Sequence, residues 1–425
     1  MSEIPSSPDI VVIGAGAAGL GAGRRLTELG ASFAILEASH RVGGRGHTEE
    51  IAPGIPFDLG CHWLHSASLN PFVAMADAAG FTYRKGTFDR TLHFAADWTA
   101  GTDAADCDAY FERCDAALRK AHAAGRDVSV ADVIERDSPW TGAFDYWISL
   151  TSSVDSDQIS AVDHYNYRDT GEDWPVREGY GNLIARLAEG LPISLNTAVT
   201  DIDTRGKEIR LTTPKGTVTA KAVIVAVSTG ILGGGDLRFT PDLPDWKRQA
   251  IADLPLGCHN RIALLFDCNV FGDDHPRGTM VLSSESEPMS FRIRPFGQDY
   301  VAGVTGGRFA DWLERAGVEA CADLAKENLA KAFGSDITKH VVRHLVTAWR
   351  GDPWVKGPYS AARPGCAHQR ARLAEAIDGR LFFAGEATSR DFFATAHGAY
   401  LSGLRAAEQA HGAIGGAAQA ASPPA

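Results

Sequence analysis

Three glycines, Gly14, Gly16 and Gly19, follow an all-apolar run from Ile10 to Ile13 and precede a helical pattern that passes through Leu20 and Leu26 to Leu29 and stops at Gly30. Glycines at this spacing suit a pyrophosphate. The first permits a tight turn, the second lets the phosphates approach the backbone, and the third lets helix and strand pack closely. The helix then offers unpaired N–H groups and the positive end of its dipole to the oxygens. A second apolar run, Phe33 to Leu36, ends at Glu37, whose carboxylate can accept hydrogen bonds from a ribose diol. This pattern predicts a βαβ unit that binds a dinucleotide, and by itself it fits NAD as well as FAD. Gly43, Gly44 and Arg45 come soon after the acid. Two glycines and an arginine there suit a second phosphate contact, with the guanidinium as a planar fork of donors, and they favour FAD.

Further motifs lie far along the chain: Gly179-Tyr180-Gly181, Leu195 to Val199, Phe383-Ala384-Gly385-Glu386-Ala387-Thr388, and His397 to Ala407. Together with the N-terminal glycines, Glu37 and Gly43-Gly44-Arg45, they make the sequence resemble the flavin-containing amine oxidase family, which includes monoamine oxidases, polyamine oxidases and histone lysine demethylases. The likeness is strong at both ends and thin between about Phe81 and Glu172. It implies that Gly385 and Glu386 stand at the phosphate–ribityl part of a noncovalent FAD, that Thr395 and Ala396 lie near the isoalloxazine, and that the backbone of Val199 contacts the adenine. Trp349 and Tyr359 would line the flavin. An aromatic-rich pocket suits both a flat ring system and a cationic amine. The stretch Gly60 to His65, followed by Asn70-Pro71, is most similar to the polyamine and spermine oxidases. That likeness implies cofactor contacts for Gly60 and Trp63 and a substrate-facing role for His65.

Two departures stand out. The family usually has a lysine that holds a water against flavin N5, and the matching position here is Arg261, in Gly257 to Leu264. Arginine can hold a water but cannot give up its proton, so the resemblance leaves open whether O2 or another acceptor reoxidises the flavin. In the covalent members a cysteine carries the flavin; here that position is Pro358, which has no nucleophile.

The elements that must position these residues follow from periodicity. Ala222 to Val227 is the strongest buried strand of a group between Ile193 and Val227, and Ile262 to Phe266 is another. A short helix is expected at Asn182 to Leu187, one amphipathic helix from Trp312 to Phe333, and a last helix from about Gly398 to Ala410. Gly80 to Gln158 reads as helical with no strong strand, and the tail from Gly415 onward reads as frayed. The dinucleotide-type segments come first, in the middle and last. The expected fold is therefore α/β: a doubly wound, Rossmann-like FAD domain from residues 1–78, 176–240 and 369–425, interleaved with a mixed-sheet α+β substrate domain from residues 79–175 and 241–368.

Composition sets the outer limits. A net charge of −12 argues against a nucleic-acid partner. Seven scattered cysteines without a CxxC indicate neither a disulfide framework nor a metal site, and reduced thiols fit a cytoplasmic protein. No apolar run approaches the ~20 residues of a membrane span, and the N-terminus lacks a basic leader. The expected activity is oxidation of a small amine, polyamine or other, to an imine. The sequence leaves three other readings open: a C–C desaturase or protoporphyrinogen-oxidase-like enzyme, an amino-acid oxidase, and a flavin-binding scaffold with little turnover.

Overall fold

The computed structural model describes residues 7–86, 91–94, 104–272, 278–282 and 288–420. Ile10–Ile13 is the central strand of a five-stranded parallel sheet in the order Leu381–Phe383, Ala222–Val225, Ile10–Ile13, Phe33–Leu36, Ile193–Ser194. Every residue of the three middle strands is buried. Helices cover both faces of such a sheet, which is why its strands are apolar throughout rather than alternating. The chain leaves the first strand toward one edge and returns later on the other side. The C-terminal end of Ile10–Ile13 is therefore the switch point at which ligands bind in this class of sheet.

The helix after the glycine loop, Ala17–Glu28, packs backbone to backbone against the last helix, Ala396–Ala420. A Cβ on Gly403 would come within 2.0 Å of the Ala18 carbonyl oxygen, and one on Gly21 within 2.7 Å of the Tyr400 carbonyl oxygen. Only glycines allow the first and last helices this close.

A second sheet has six strands in the order Val341–Val346, His259–Phe266, Tyr300–Gly306, Pro288–Ile293, Gly278–Leu282, Thr91–Phe94. Its pairs are antiparallel except the last. The two-residue period sorts its side chains. Ile262, Leu264, Phe266, Phe291 and Ile293 form a core with Leu313, Cys321 and Leu329 of the covering helices. Arg261, Ala263, Ser290, Arg292, Ala302 and Val304 stand on the opposite face. Helices Ala104–Ala123, Thr141–Ser152 and Ala161–Asn166 form a separate cluster around Tyr110 and Phe144.

The structure corrects three expectations. Thr91–Phe94 is a short edge strand inside the stretch read as helical with no strong strand. The helix expected from Trp312 to Phe333 is two, Gly307–Ala316 and Val318–Phe333, parted by Gly317 at φ +100°. The last helix begins at Ala396 and runs to Ala420, through the first residues of the tail expected to fray. Residues 421–425 lie outside the described residues. All seven cysteines are free thiols. Among the described residues, no helix is long and apolar enough to cross a membrane.

Candidate active site

A cavity of about 1250 Å³ adjoins both sheets. Every site residue expected from the sequence lines it except Gly19. Gly19 serves the packing instead. A Cβ there would lie 1.8 Å from the Gly14 carbonyl oxygen, so its glycine lets the helix start against the strand. Gly14 sits at φ +99°. At Gly16 a Cβ would meet nothing of the protein closer than 3.9 Å, so the small residue there keeps space in the cavity open rather than relieving a protein contact.

The glycine loop and the second glycine pair are one structure, because the Gly43 N–H donates to the Ala15 carbonyl at 2.8 Å. Glu37 joins them. It accepts from the N–H of Ala15 at 2.6 Å and of Ser39 at 2.7 Å. Burial pushes its pKa up, against the pull of those two donors. The fit to a dinucleotide is direct: an open helix N-terminus, a glycine facing free space, and a carboxylate at the end of the second strand.

Arg45 donates through Nη1 to the Pro358 carbonyl at 2.6 Å and to Glu386 Oε1 at 2.9 Å. Glu386 also accepts from the Ser360 N–H and hydroxyl and from the Ala394 N–H. Burial alone would raise its pKa, but Arg45, Arg370 and these donors hold it below the ordinary carboxylate value. Four bonds fill a carboxylate, so Glu386 acts on a ligand by fixing Arg45 and the 358–360 and 394 backbone. Behind it, Arg370 forms a fully buried bidentate pair with Asp163 at 2.6 and 2.8 Å, donates to the Ser360 hydroxyl, and stacks over Phe393.

Gly60 is forced by the Arg45 carbonyl oxygen, 1.7 Å from where a Cβ would stand. Trp349 packs beside it, its indole N–H donating to the Leu59 carbonyl at 3.0 Å. The Tyr359 hydroxyl donates to the Leu150 carbonyl, and burial pushes its pKa up. Trp354, by contrast, is exposed at the cavity wall. Thr395 uses its hydroxyl locally: it donates to the Phe392 carbonyl at 2.7 Å and accepts from the Gly398 N–H at 3.1 Å, tying down the start of the last helix. That hydroxyl is a helix cap, a role that the sequence reading, which set Thr395 near the isoalloxazine, did not include. Val199 lines the cavity beside Ala198 and Thr200, and Ala396 is the first residue of the last helix.

The remaining wall is the polar face of the six-stranded sheet. Arg261 is buried, and its Nη1 pairs with His62 Nδ1. Burial, followed by the charge of Arg261, holds His62 well below its ordinary pKa and lowers that of His259 to about 3. Both imidazoles are therefore neutral, and His62 Nδ1 is an acceptor. Burial lowers the Arg261 pKa against the pull of Asp58, whose own oxygens accept from Thr48, Tyr180 and Gly181. Arg261 Nε is buried without a partner. Arg292, on the same face, lies 3.9 Å over the Trp63 ring, and burial and Arg261 lower its pKa to about 9. His65 meets Asp173 at 2.7 Å from Nδ1. Burial raises the Asp173 pKa, but the bond to His65 and its charge, the Ser66 N–H and the charge of His397 together outweigh it, and the net shift is downward.

Asp173, His62, Arg292, Asp163 and Arg370 were not singled out from the sequence. His62 stood inside a quoted motif, where its neighbour His65 drew the attention. The other four become partners only through pairing across long sequence separations, 108 residues for His65–Asp173 and 207 for Arg370–Asp163. No metal site was expected. Asp267, Cys268 and His340 bring ligand atoms within 4.8 Å of one another, but none of the three lines the cavity.

A glycine-loop cradle opening into an aromatic chamber floored by a second sheet defines an FAD-binding oxidoreductase. The chain belongs to the family of flavin-containing amine oxidoreductases, whose family model matches residues 89–411, and an NAD(P)-binding Rossmann-like domain model matches residues 12–79. Its activity is thereby placed among FAD-dependent amine oxidoreductases. Polyamine oxidase 4 of Oryza sativa subsp. japonica is 29% identical, over 96% of this chain and 89% of the rice protein. Lysine-specific histone demethylase 2 of Homo sapiens is 29% identical over 94% of this chain and 53% of the human one. Among solved structures, wild-type putrescine oxidase bound to putrescine has the same fold, with a TM-score of 0.81 at 18% identity, covering 96% of this chain and 99% of the other. Cyclohexylamine oxidase from Brevibacterium oxydans IH-35A gives a TM-score of 0.79 at 20% identity, covering 96% and 100%.

Proposed function

We propose that the chain oxidises a primary or secondary amine to an imine, which water then hydrolyses. The observation that carries this reading is the continuity of one cavity from the Gly14–Gly16 loop to the His65–Asp173 pair. When bound, the flavin supplies the two-electron acceptor, taking hydride at N5 from the carbon that bears the nitrogen. The protein's own work is positional. Asp173 holds the Nδ1 proton of His65, which leaves Nε2 as an acceptor for a substrate N–H. Trp63, Trp349 and Tyr359 supply flat apolar walls that exclude water. Arg261 places a permanent positive charge in the chamber, which stabilises an electron-rich reduced cofactor. O2 or another acceptor then completes the cycle.

The test is anaerobic titration of the purified yellow protein. Bleaching of the flavin absorbance by amines, with release of the carbonyl product on hydrolysis, supports amine oxidation. Bleaching by saturated cyclic C–C donors and by no amine would replace it with desaturation.

A further inference from the structure

We propose that Asp267, Cys268 and His340 form a binding site for a divalent cation of the zinc class, which clips an edge strand of the second sheet in place. The site lies apart from the cavity, since none of the three residues lines it.

The sheet brings the three together. Strand His259–Phe266 pairs antiparallel with the edge strand Val341–Val346, and Phe266 stands opposite Val341. The pairing continues one step further, where the Asp267 N–H donates to the His340 carbonyl at 3.0 Å. Asp267 and His340 are thus neighbours across the strands, although 73 residues part them in the chain. The strand itself ends at Phe266, and the chain bends at Asp267 and Cys268. In a straight strand consecutive side chains point to opposite faces. The bend lets both approach His340.

The donor atoms converge. His340 Nδ1 lies 2.9 Å from Asp267 Oδ1 and 3.6 Å from Cys268 Sγ, and all three ligand atoms fall within 4.8 Å of one another. Zinc bonds of about 2.0 Å to N and O and about 2.3 Å to S, at tetrahedral angles, set N and O about 3.3 Å apart and N and S about 3.5 Å apart. Shifts on the order of 1 Å therefore seat the ion, and these side chains are exposed enough to make them. Hydrogen bonding alone leaves the group unbalanced. A ring nitrogen carries either one proton or one lone pair, and Nδ1 faces two partners at once. A cation that takes a lone pair from each of the three removes that conflict. Lys339, next to His340 in the chain, pairs with Asp336. Thiolate and imidazole with a single carboxylate suit zinc, whereas magnesium and calcium take oxygen ligands. Three protein ligands leave the fourth tetrahedral position to water.

The experiment uses the tag-free holoenzyme, freed of metal by a chelator and desalted. Calorimetric titration with zinc chloride should show a single ion bound, and magnesium should not compete. Cobalt(II) should give the absorption of a tetrahedral thiolate site at wavelengths beyond the flavin bands, and zinc should bleach it. Cys268→Ala and His340→Gln should each weaken zinc by roughly 100-fold, since loss of even an outer partner of a metal ligand costs about 10–100-fold. Zinc should raise the melting temperature of the wild type and leave that of Cys268→Ala unmoved. On the wild type alone, zinc should shield Cys268 from iodoacetamide, read by mass spectrometry of its peptide, a readout that stands even where a variant does not fold. No zinc uptake, uptake unchanged in both variants, or Cys268 alkylated as fast with zinc as without it would overturn the site. Binding without a rise in melting temperature would overturn the clip.

Discussion

Replacing Gly16 by valine isolates the cofactor cradle from the fold. Gly16 has φ −74°, open to any residue, and a Cβ there keeps 3.9 Å from the nearest protein atom. The chain therefore accepts the side chain, whereas a pyrophosphate seated on the helix N-terminus does not. Hydrogen bonds to a charged group contribute about 1.5–3 kcal/mol each. Loss of two weakens FAD by about 3–6 kcal/mol, or roughly 10²- to 10⁴-fold. Gly19→Ala is the contrast. Its Cβ would stand 1.8 Å from the Gly14 carbonyl oxygen, so the helix must leave the strand and the fold suffers first. The assay is flavin absorbance per protein after gel filtration, FAD affinity by fluorescence quenching on the apoprotein, and circular dichroism to score folding. Gly16→Val should be folded and colourless. Its stability should fall by the lost ligand linkage, about 4.1 kcal/mol for an FAD concentration 1,000 times Kd, and its melting temperature with it. A folded Gly16→Val protein with full flavin would refute the cradle, and a folded, yellow Gly19→Ala protein would refute the packing argument.

Four further outcomes are expected. Arg261→Lys should speed reoxidation of the reduced flavin by air with little change in reduction by amine, read by stopped flow on both half-reactions; no gain would remove Arg261 from control of the acceptor step. His65→Ala should retain FAD and lower kcat/KM for the amine by an amount worth about 1–3 kcal/mol, and an unchanged value would make the histidine a bystander. Asp163→Ala leaves Arg370 charged and unpaired in the interior and should destabilise the protein by about 3–5 kcal/mol in urea unfolding. Glu386 is held below its ordinary value of 4.5, so its contribution is present above that pH and is lost as pH falls through the folded value. Glu386→Gln should accordingly flatten the acid limb of the stability profile, and a limb as steep as wild type would contradict the assignment.

The parts legible in the sequence are those with local causes. Strands buried on both faces read as unbroken apolar runs, so Ile10–Ile13, Phe33–Leu36 and Ala222–Val225 were plain. The strand Thr91–Phe94 was not, because four residues paired along one edge leave too short a pattern. Gly317 was passed over because helical periodicity resumes at once beyond it, although its positive φ ends one helix and starts another. The expected site residues all line the cavity apart from Gly19, yet several of their roles lay in partners. Nothing near Thr395 in sequence says that its hydroxyl caps a helix, and nothing near His65 names Asp173. The pairing of Arg261 with His62 depends on the register of a sheet whose strands are far apart in the chain.

The close contact of the first and last helices also bears on the protein's birth on the ribosome. The phosphate loop emerges long before its partners, because the helix that carries it lies against Gly403 and Tyr400, and one outer strand of its sheet is Leu381–Phe383. A nascent chain that has made only the glycine loop has no surface on which to settle it. Cofactor capture must therefore await the Ala396–Ala420 helix, and the long intervening stretch waits with its apolar strands unpaired. Such contacts between distant parts of a chain form slowly and leave it open to aggregation. Supply of FAD during expression should then matter most once the Ala396–Ala420 helix has been made, and chains cut short before residue 396 should accumulate without flavin however much of the glycine-loop motif they retain.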